Sequence, residues 1–173
     1  LPATFVLYAA YRFGWEEQEV GLTLGLVGIL SIIVQAGLVG RIVKAIGPGP
    51  TFYTAMAGGV TAFTIYGFAS EPWHVFVGVV FGSLSGMAGA AMQTMITQRV
   101  GPKDQGKLQG ALGGLMGLAS LIGPTLFTNT FAFFIGTAAP FSLPGAAFLL
   151  AAAFLLISGL IAFRTLRTLA VPA

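Results

Sequence analysis

Between Gln105 and Thr128 the chain reads QGKLQGALGGLMGLASLIGPTLFT, an apolar stretch seeded with Gly106, Gly110, Gly113, Gly114 and Gly117. In water each glycine in a helix interior costs about 1 kcal/mol relative to alanine. In a bilayer the same residues let helix backbones approach closely, and dispersion contacts replace the missing hydrophobic drive between helices. Gly106, Gly110 and Gly114 recur at i, i+4, i+8 and form one smooth ridge, with Gly117 and Ser120 beside it. Pro124 interrupts the same helix, which membrane helices tolerate when neighbours re-satisfy the freed carbonyl. The stretch is expected to be a packed, kinked span, and the neighbouring segments the rest of its bundle.

Only 8% of the 173 residues are charged, against 56% hydrophobic. Soluble domains carry about a quarter charged residues, so the chain cannot build a water-facing surface and reads as all-α and integral to a membrane. Cysteine is absent, which excludes a disulfide frame, thiolate metal sites and thiol nucleophiles. The basic residues are dispersed at helix ends rather than gathered in a patch, so no nucleic acid is expected as a partner. The start, LPATFVLYAA, is apolar but has neither the basic flank of a signal peptide nor the roughly 20 residues of a complete span. It is expected to be the tail of a helix whose beginning lies upstream, in a chain that is a fragment.

The apolar runs place spans at about 1–10 (partial), 20–39, 51–69, 73–97, 106–136 and 145–163. Polar or proline-bearing connections separate them: Arg12 to Glu19, Arg41 to Pro50, Ser70-Glu71-Pro72, Arg99 to Asp104, and Pro140 to Pro144. Gly47-Pro48-Gly49-Pro50 is expected to be a tight turn, because its prolines cannot continue a helix. Alternate connections face the same side. One side receives Arg41, Lys44, Arg99, Lys103, Lys107, Arg164 and Arg167, and the other only Arg12. The positive-inside rule makes the first side, and the C-terminus, cytoplasmic.

No Lys, Arg, Asp or Glu sits well inside a span, so the usual intramembrane proton and ion carriers are missing. The polar residues that remain are neutral. Gly28, Ser31 and Gln35 share one face of the second span; Gly82, Gly86, Gly89 and Gln93 share one face of the fourth. Ser31, Gln35 and Gln93 either line a polar cavity that takes a solute or form interhelical hydrogen bonds worth about 0.6 kcal/mol each. His74 stands at an outer interface beside Trp73 with no sequence neighbour fit to share a metal or relay a proton. Paired carboxylates, metal-spaced histidines and a nucleophile with a base are all lacking, so neither enzyme chemistry nor a cofactor is expected.

Four words in the sequence carry a resemblance: RFGW at Arg12 to Trp15, Gly40-Arg41-Ile42, QGKLQG at Gln105 to Gly110, and GPTLFT at Gly123 to Thr128. In these, and in spacing over nearly the whole chain, it resembles the C-terminal half of the tetracycline-resistance efflux proteins of the major facilitator superfamily. The resemblance implies residues 1–173 as a six-helix half, a 3+3 inverted repeat, of a twelve-helix fold with its first helix truncated. It implies a secondary transporter of a small organic solute, coupled to protons. A six-helix N-terminal half, absent from this sequence, would supply the proton carriers, and the bacterial inner membrane would be the location. GRIVKAIG, from Gly40 through Arg41 to Gly47, resembles the C-half copy of the superfamily's cytoplasmic loop motif, which implies a gating and packing role. Gly106, Gly110, Gly114 and Pro124 take the same role in the fifth span. The best-known tetracycline pumps carry a histidine and an aspartate where this chain has Ser31 and Gly59, while Gln35 and Gln93 match. A sensor or scaffold on the same fold that transports nothing is the alternative reading.

Overall fold

The computed structural model describes residues 2–98, 100–101, 103–137 and 139–170, the side chains of 2 and 166–170 apart. Leu1, Arg99 and Pro102 lie outside the described residues, and so does the side chain of Arg167. Eight α-helices occupy the described chain: α1 (Pro2–Phe13), α2 (Glu17–Ile32), α3 (Val39–Ile46), α4 (Pro48–Phe68), α5 (Pro72–Ser85), α6 (Met87–Thr97), α7 (Gln105–Ile135) and α8 (Ala146–Ala170). A π-helical segment, Ile33–Leu38, joins α2 to α3 without a break in the chain's course. Four stretches are long and apolar enough to cross a membrane: Glu17–Ile46, Pro72–Thr97, Gln105–Ile135 and Ala146–Thr165. The fold is that of an all-α integral membrane protein.

Three features of these helices differ from the reading of the apolar runs. The expected GPGP turn shrinks to Gly47, whose φ of +84° suits only glycine. Pro48 and Pro50 are already inside the first turn of α4, where a missing N–H costs nothing. The fourth span is not one helix: it breaks at Gly86 between α5 and α6. The second span runs on through Gly40 and Arg41 to Ile46 and carries the π-helical segment at its centre.

α4 is the hub. It packs against α3, α5, α6 and α8, and although it has 21 residues it is not among the four stretches apolar enough to cross a membrane. It carries threonines at 51, 54, 61 and 64. Three of these donate to the carbonyl four residues back: Thr51 to Gly47 (2.7 Å), Thr54 to Pro50 (3.0 Å) and Thr64 to Val60 (2.7 Å). A helix can carry such hydroxyls in an apolar setting once its own backbone satisfies them. The pairings around the hub repeat between the two triplets: α2 meets α5 as α1 meets α7, and α3 meets α4 as α7 meets α8. That is the pattern of an inverted repeat.

Two buried clusters hold the bundle. At the end shared by the α1–α2, α4–α5 and α7–α8 connections, Phe5, Tyr8, Val75, Val79, Phe131 and Phe148 form the larger one. Tyr8, fully buried, stacks edge-on to Phe148 at 5.0 Å and donates from Oη to the Tyr66 carbonyl at 2.8 Å. Arg12 Nε donates to the Ala69 carbonyl at 3.1 Å, tying the end of α1 to the end of α4. Toward the opposite end Val34, Val39, Ala55 and Met87 form the second cluster. The π-helical segment contributes Val34 to this second cluster, and Met87 directly follows the Gly86 break.

Candidate functional site

Gln35 sits within the π-helical segment and its side chain lies over the break between α5 and α6. A Cβ placed on Gly86 would be 3.5 Å from Gln35 Nε2 and 3.7 Å from its Cγ. Both residues are exposed. Gln93, also exposed, follows Gly86 by seven residues, which is two helical turns, or about 10 Å along the same face. Ser31, half-buried, precedes Gln35 by one turn. π-turns inside α-helices recur at functional positions, and here one is set opposite a helix break.

The hydrogen bonding at this face is incomplete. Ser83 Oγ donates to the Val80 carbonyl (2.7 Å) and Ser85 Oγ to the Gly82 carbonyl (2.6 Å), so the end of α5 satisfies its own hydroxyls. Among the described residues no hydrogen bond engages the side chains of Ser31, Gln35 or Gln93. An amide in an apolar medium without a partner costs on the order of 2–7 kcal/mol. These side chains therefore need a polar neighbour or water on their open side. The structure brings Gln35 to Gly86 and leaves both glutamines facing outward, rather than bonding one to another within the chain.

The glycines divide into two classes that the sequence did not separate. A Cβ added to Gly40, Gly106, Gly110 or Gly114 would meet nothing within 4 Å, and the same holds for Gly113 and Gly117. The ridge of α7 is thus open, and Pro124 lies exposed in the middle of that helix; of α7, only Phe131 is buried. The close approach expected of the ridge is not made to any other described helix of this chain. Arg41 is exposed at the start of α3. The glycines that do bring helices together are others. A Cβ on Gly58 would stand 2.9 Å from the Phe81 carbonyl, and one on Gly59 would stand 2.9 Å from Leu155 Cδ1 and 3.2 Å from Ser85 Cβ. Gly67 abuts Leu149, Gly78 abuts the Tyr66 ring, and Gly145 abuts the backbone of Gly67. The only hint in the sequence was the Gly58-Gly59 pair in mid-span. Gly59 is buried, and any side chain there would press on Leu155 and Ser85.

His74 closes a local cap. Its Nδ1 accepts from the Glu71 N–H at 3.0 Å, and its ring stacks on Trp73 at 4.0 Å. Among the described residues no three His, Cys, Asp or Glu side chains gather as metal ligands. Lys107 and Asp104 form an ion pair at 3.0 Å, which is solvent-exposed. A separate apolar cavity of about 690 Å³ lies between α4, α6 and α8, and none of Ser31, Gln35 and Gln93 lines it.

The profile of the Major Facilitator Superfamily matches residues 1–172. The tetracycline resistance protein, class G, of Vibrio anguillarum is 35% identical over 126 residues, 73% of this chain and 32% of the relative. Class B of Escherichia coli is 34% identical over 128 residues, again 73% of this chain and 32% of the relative. The human Hippocampus abundant transcript 1 protein is 26% identical over 132 residues, 76% of this chain and 27% of the relative. The matched region is about a third of the length of these curated relatives. No solved structure matches the chain.

Proposed function

The chain belongs to the major facilitator superfamily, and on that footing we propose that it is the C-terminal half of a secondary transporter and forms one wall of its solute path. The observation that carries this reading is the set of unpartnered polar side chains on α2, the π-helical segment and α6, together with the open ridge of α7. Gln35 and Gln93 present unpaired amides there, Ser31 adds a hydroxyl, and Gly106, Gly110 and Gly114 give α7 a smooth surface. An apolar bundle cannot leave such amides against lipid, since each unsatisfied group costs several kcal/mol. A second six-helix half against this face would enclose a polar passage near the midplane, and rocking of one half on the other would alternate access.

A drug-like organic solute is the cargo in this proposal, because relatives that match the chain bear the name tetracycline resistance protein. The glutamines would bind it through neutral hydrogen bonds, and proton carriers would come from the other half. Gly40, Arg41 and Gly47 would serve the cytoplasmic gate. Arg41, Lys44, Lys103, Lys107 and Arg164 would face the cytoplasm of a bacterial inner membrane. The test uses the full-length protein reconstituted in liposomes with an imposed pH gradient. Gln35→Ala and Gln93→Ala should each weaken solute uptake severalfold. Transport unaltered by both would remove them from the path, and no solute-driven flux with any drug would favour a sensor instead.

A further inference from the structure

We propose that Thr125 and Asn129 of α7 form a second polar subsite, for a planar polycyclic solute that carries hydrogen-bonding groups along one edge. The subsite rests on the transporter reading above and extends it toward the end of the bundle that the α1–α2, α4–α5 and α7–α8 connections share.

α7 treats its polar side chains in two ways. Ser120 Oγ donates to the Met116 carbonyl at 2.7 Å, and Thr130 Oγ1 donates to the Leu126 carbonyl at 2.8 Å. A hydroxyl that folds back on its own helix needs no other partner in an apolar medium. Thr125 and Asn129, one turn apart, make no hydrogen bond among the described residues, and both are exposed. An unpaired amide and an unpaired hydroxyl are costly against lipid, so this face needs a polar neighbour. Pro124, directly ahead, has no N–H to give the Ser120 carbonyl. Thr125 follows Gly114 by eleven residues, close to three whole turns. The unpaired pair thus continues the open line of Gly106, Gly110 and Gly114, where an added Cβ meets nothing within 4 Å.

The pair lies in a groove of about 680 Å³, within the range of pockets that hold drug-sized ligands. Ile122 and Leu126 line it beside the polar side chains, and Phe133 and Phe134 stand at its end nearest the α7–α8 connection. Those rings are held in place. They meet edge-on at 5.2 Å, Phe141 packs on Phe134 at 5.7 Å, and the Phe134 carbonyl accepts from the Leu143 N–H at 3.1 Å. Aromatic and aliphatic walls bind a flat apolar body, and a few unpaired polar groups orient its edge. No charged side chain lines the groove, so the matching edge is a neutral one.

Depth separates this subsite from the glutamines. Asn129 lies about 9 Å, and Thr125 about 15 Å, from the end of α7 at Ile135. Gln35 lies about 27 Å from the start of α2 at Glu17, which is at the same end of the bundle. The two polar stations are about 12–18 Å apart in depth, so a solute leaving the glutamines toward that end meets the α7 pair next.

The test reads occupancy of the groove apart from transport. Single cysteines replace Ile122 or Leu126 in a cysteine-free background of the full-length protein, held in lipid nanodiscs. Gln18→Cys is the water-exposed control and Leu160→Cys the lipid-facing one. A charged methanethiosulfonate is the label, and tetracycline, four fused rings with hydroxyls and an amide along one edge, is the probe. Labelling at Ile122→Cys and Leu126→Cys should run severalfold faster than at Leu160→Cys. Tetracycline should slow it severalfold at both while leaving Gln18→Cys unchanged. Thr125→Val and Asn129→Leu should each raise the concentration for half protection severalfold, and Asn129→Gln should recover part of the loss. Rates as low as at Leu160→Cys would mean that lipid or another part of the protein covers the groove. Fast labelling that tetracycline does not slow would mean water without a subsite, and protection unmoved by both variants would place the solute on other groups. Each of these three results overturns the proposal. A parent that carries tetracycline along a pH gradient without protecting the groove loses the subsite alone. One that protects it without any flux keeps the subsite and loses the transporter reading.

Discussion

Adding one methyl group at Gly145 is the most demanding test of how this bundle is held. Gly145 has an unexceptional backbone, since the positive-φ glycines among the described residues are Gly14 and Gly47. Alanine is therefore conformationally acceptable, and only space decides. The new Cβ would overlap the carbonyl, carbon and Cα of Gly67. All three are backbone atoms and cannot rotate away. The start of α8 and the end of α4 would have to part by about 1 Å or more to restore van der Waals separation. Parting them also loosens the Leu149 side chain from Gly67, the Phe148 ring from Tyr8, and the neighbouring Tyr66 ring. Overpacking of a core costs typically 1–3 kcal/mol. Here the obstacle is backbone and the displaced contacts are aromatic, so the expected cost for Gly145→Ala is at the upper end, about 3 kcal/mol. That corresponds to roughly a 150-fold fall in the folded-to-unfolded ratio. Reversible unfolding of the purified protein in mixed micelles of increasing SDS fraction measures it. Gly117→Ala is the companion: nothing lies within 4 Å of it among the described residues of this chain, so any loss there reports contact with something outside it. If Gly145→Ala unfolds within about 0.5 kcal/mol of the parent, the spread expected for inconsequential substitutions, the α4–α8 contact is not what holds this end together.

Further outcomes follow from single features. Tyr8→Phe keeps the ring against Phe148 but deletes the bond to the Tyr66 carbonyl, so it should cost about 1 kcal/mol, whereas Tyr8→Ala should cost about 3–5 kcal/mol; the same micelle titration separates the two. Gly47→Ala meets no neighbour within 4 Å but must hold φ at +84° with ψ at 165°, a region essentially reserved to glycine, so it should lose about 1–3 kcal/mol through strain alone, and Gly47→Asn should recover none of it. His74→Ala removes the acceptor of the Glu71 N–H and should cost about 0.5–2 kcal/mol, seen as faster amide exchange confined to the first turn of α5.

The sequence by itself determined the solvent and the helical character of the apolar runs. Transfer free energies and charge belong to single residues and add along a chain, so apolar runs of membrane length and the connections between them can be read without knowing what touches what. Gln35 and Gln93 could be picked out for the same reason: a neutral amide within an apolar run is conspicuous wherever the run lies. Only the tertiary structure decided which glycines bring helices together. Gly106, Gly110 and Gly114 have the sequence spacing of a packing ridge and lie open, while Gly58, Gly67 and Gly145 show no ridge and meet backbone or side chain from another helix. Close approach is a property of pairs, set by the crossing of two helices and invisible in either one. The π-helical turn under Gln35 and the break at Gly86 belong to the same class. Each trades a regular hydrogen-bond ladder for packing around Val34 and Met87, and the packing partners come from segments distant in the chain.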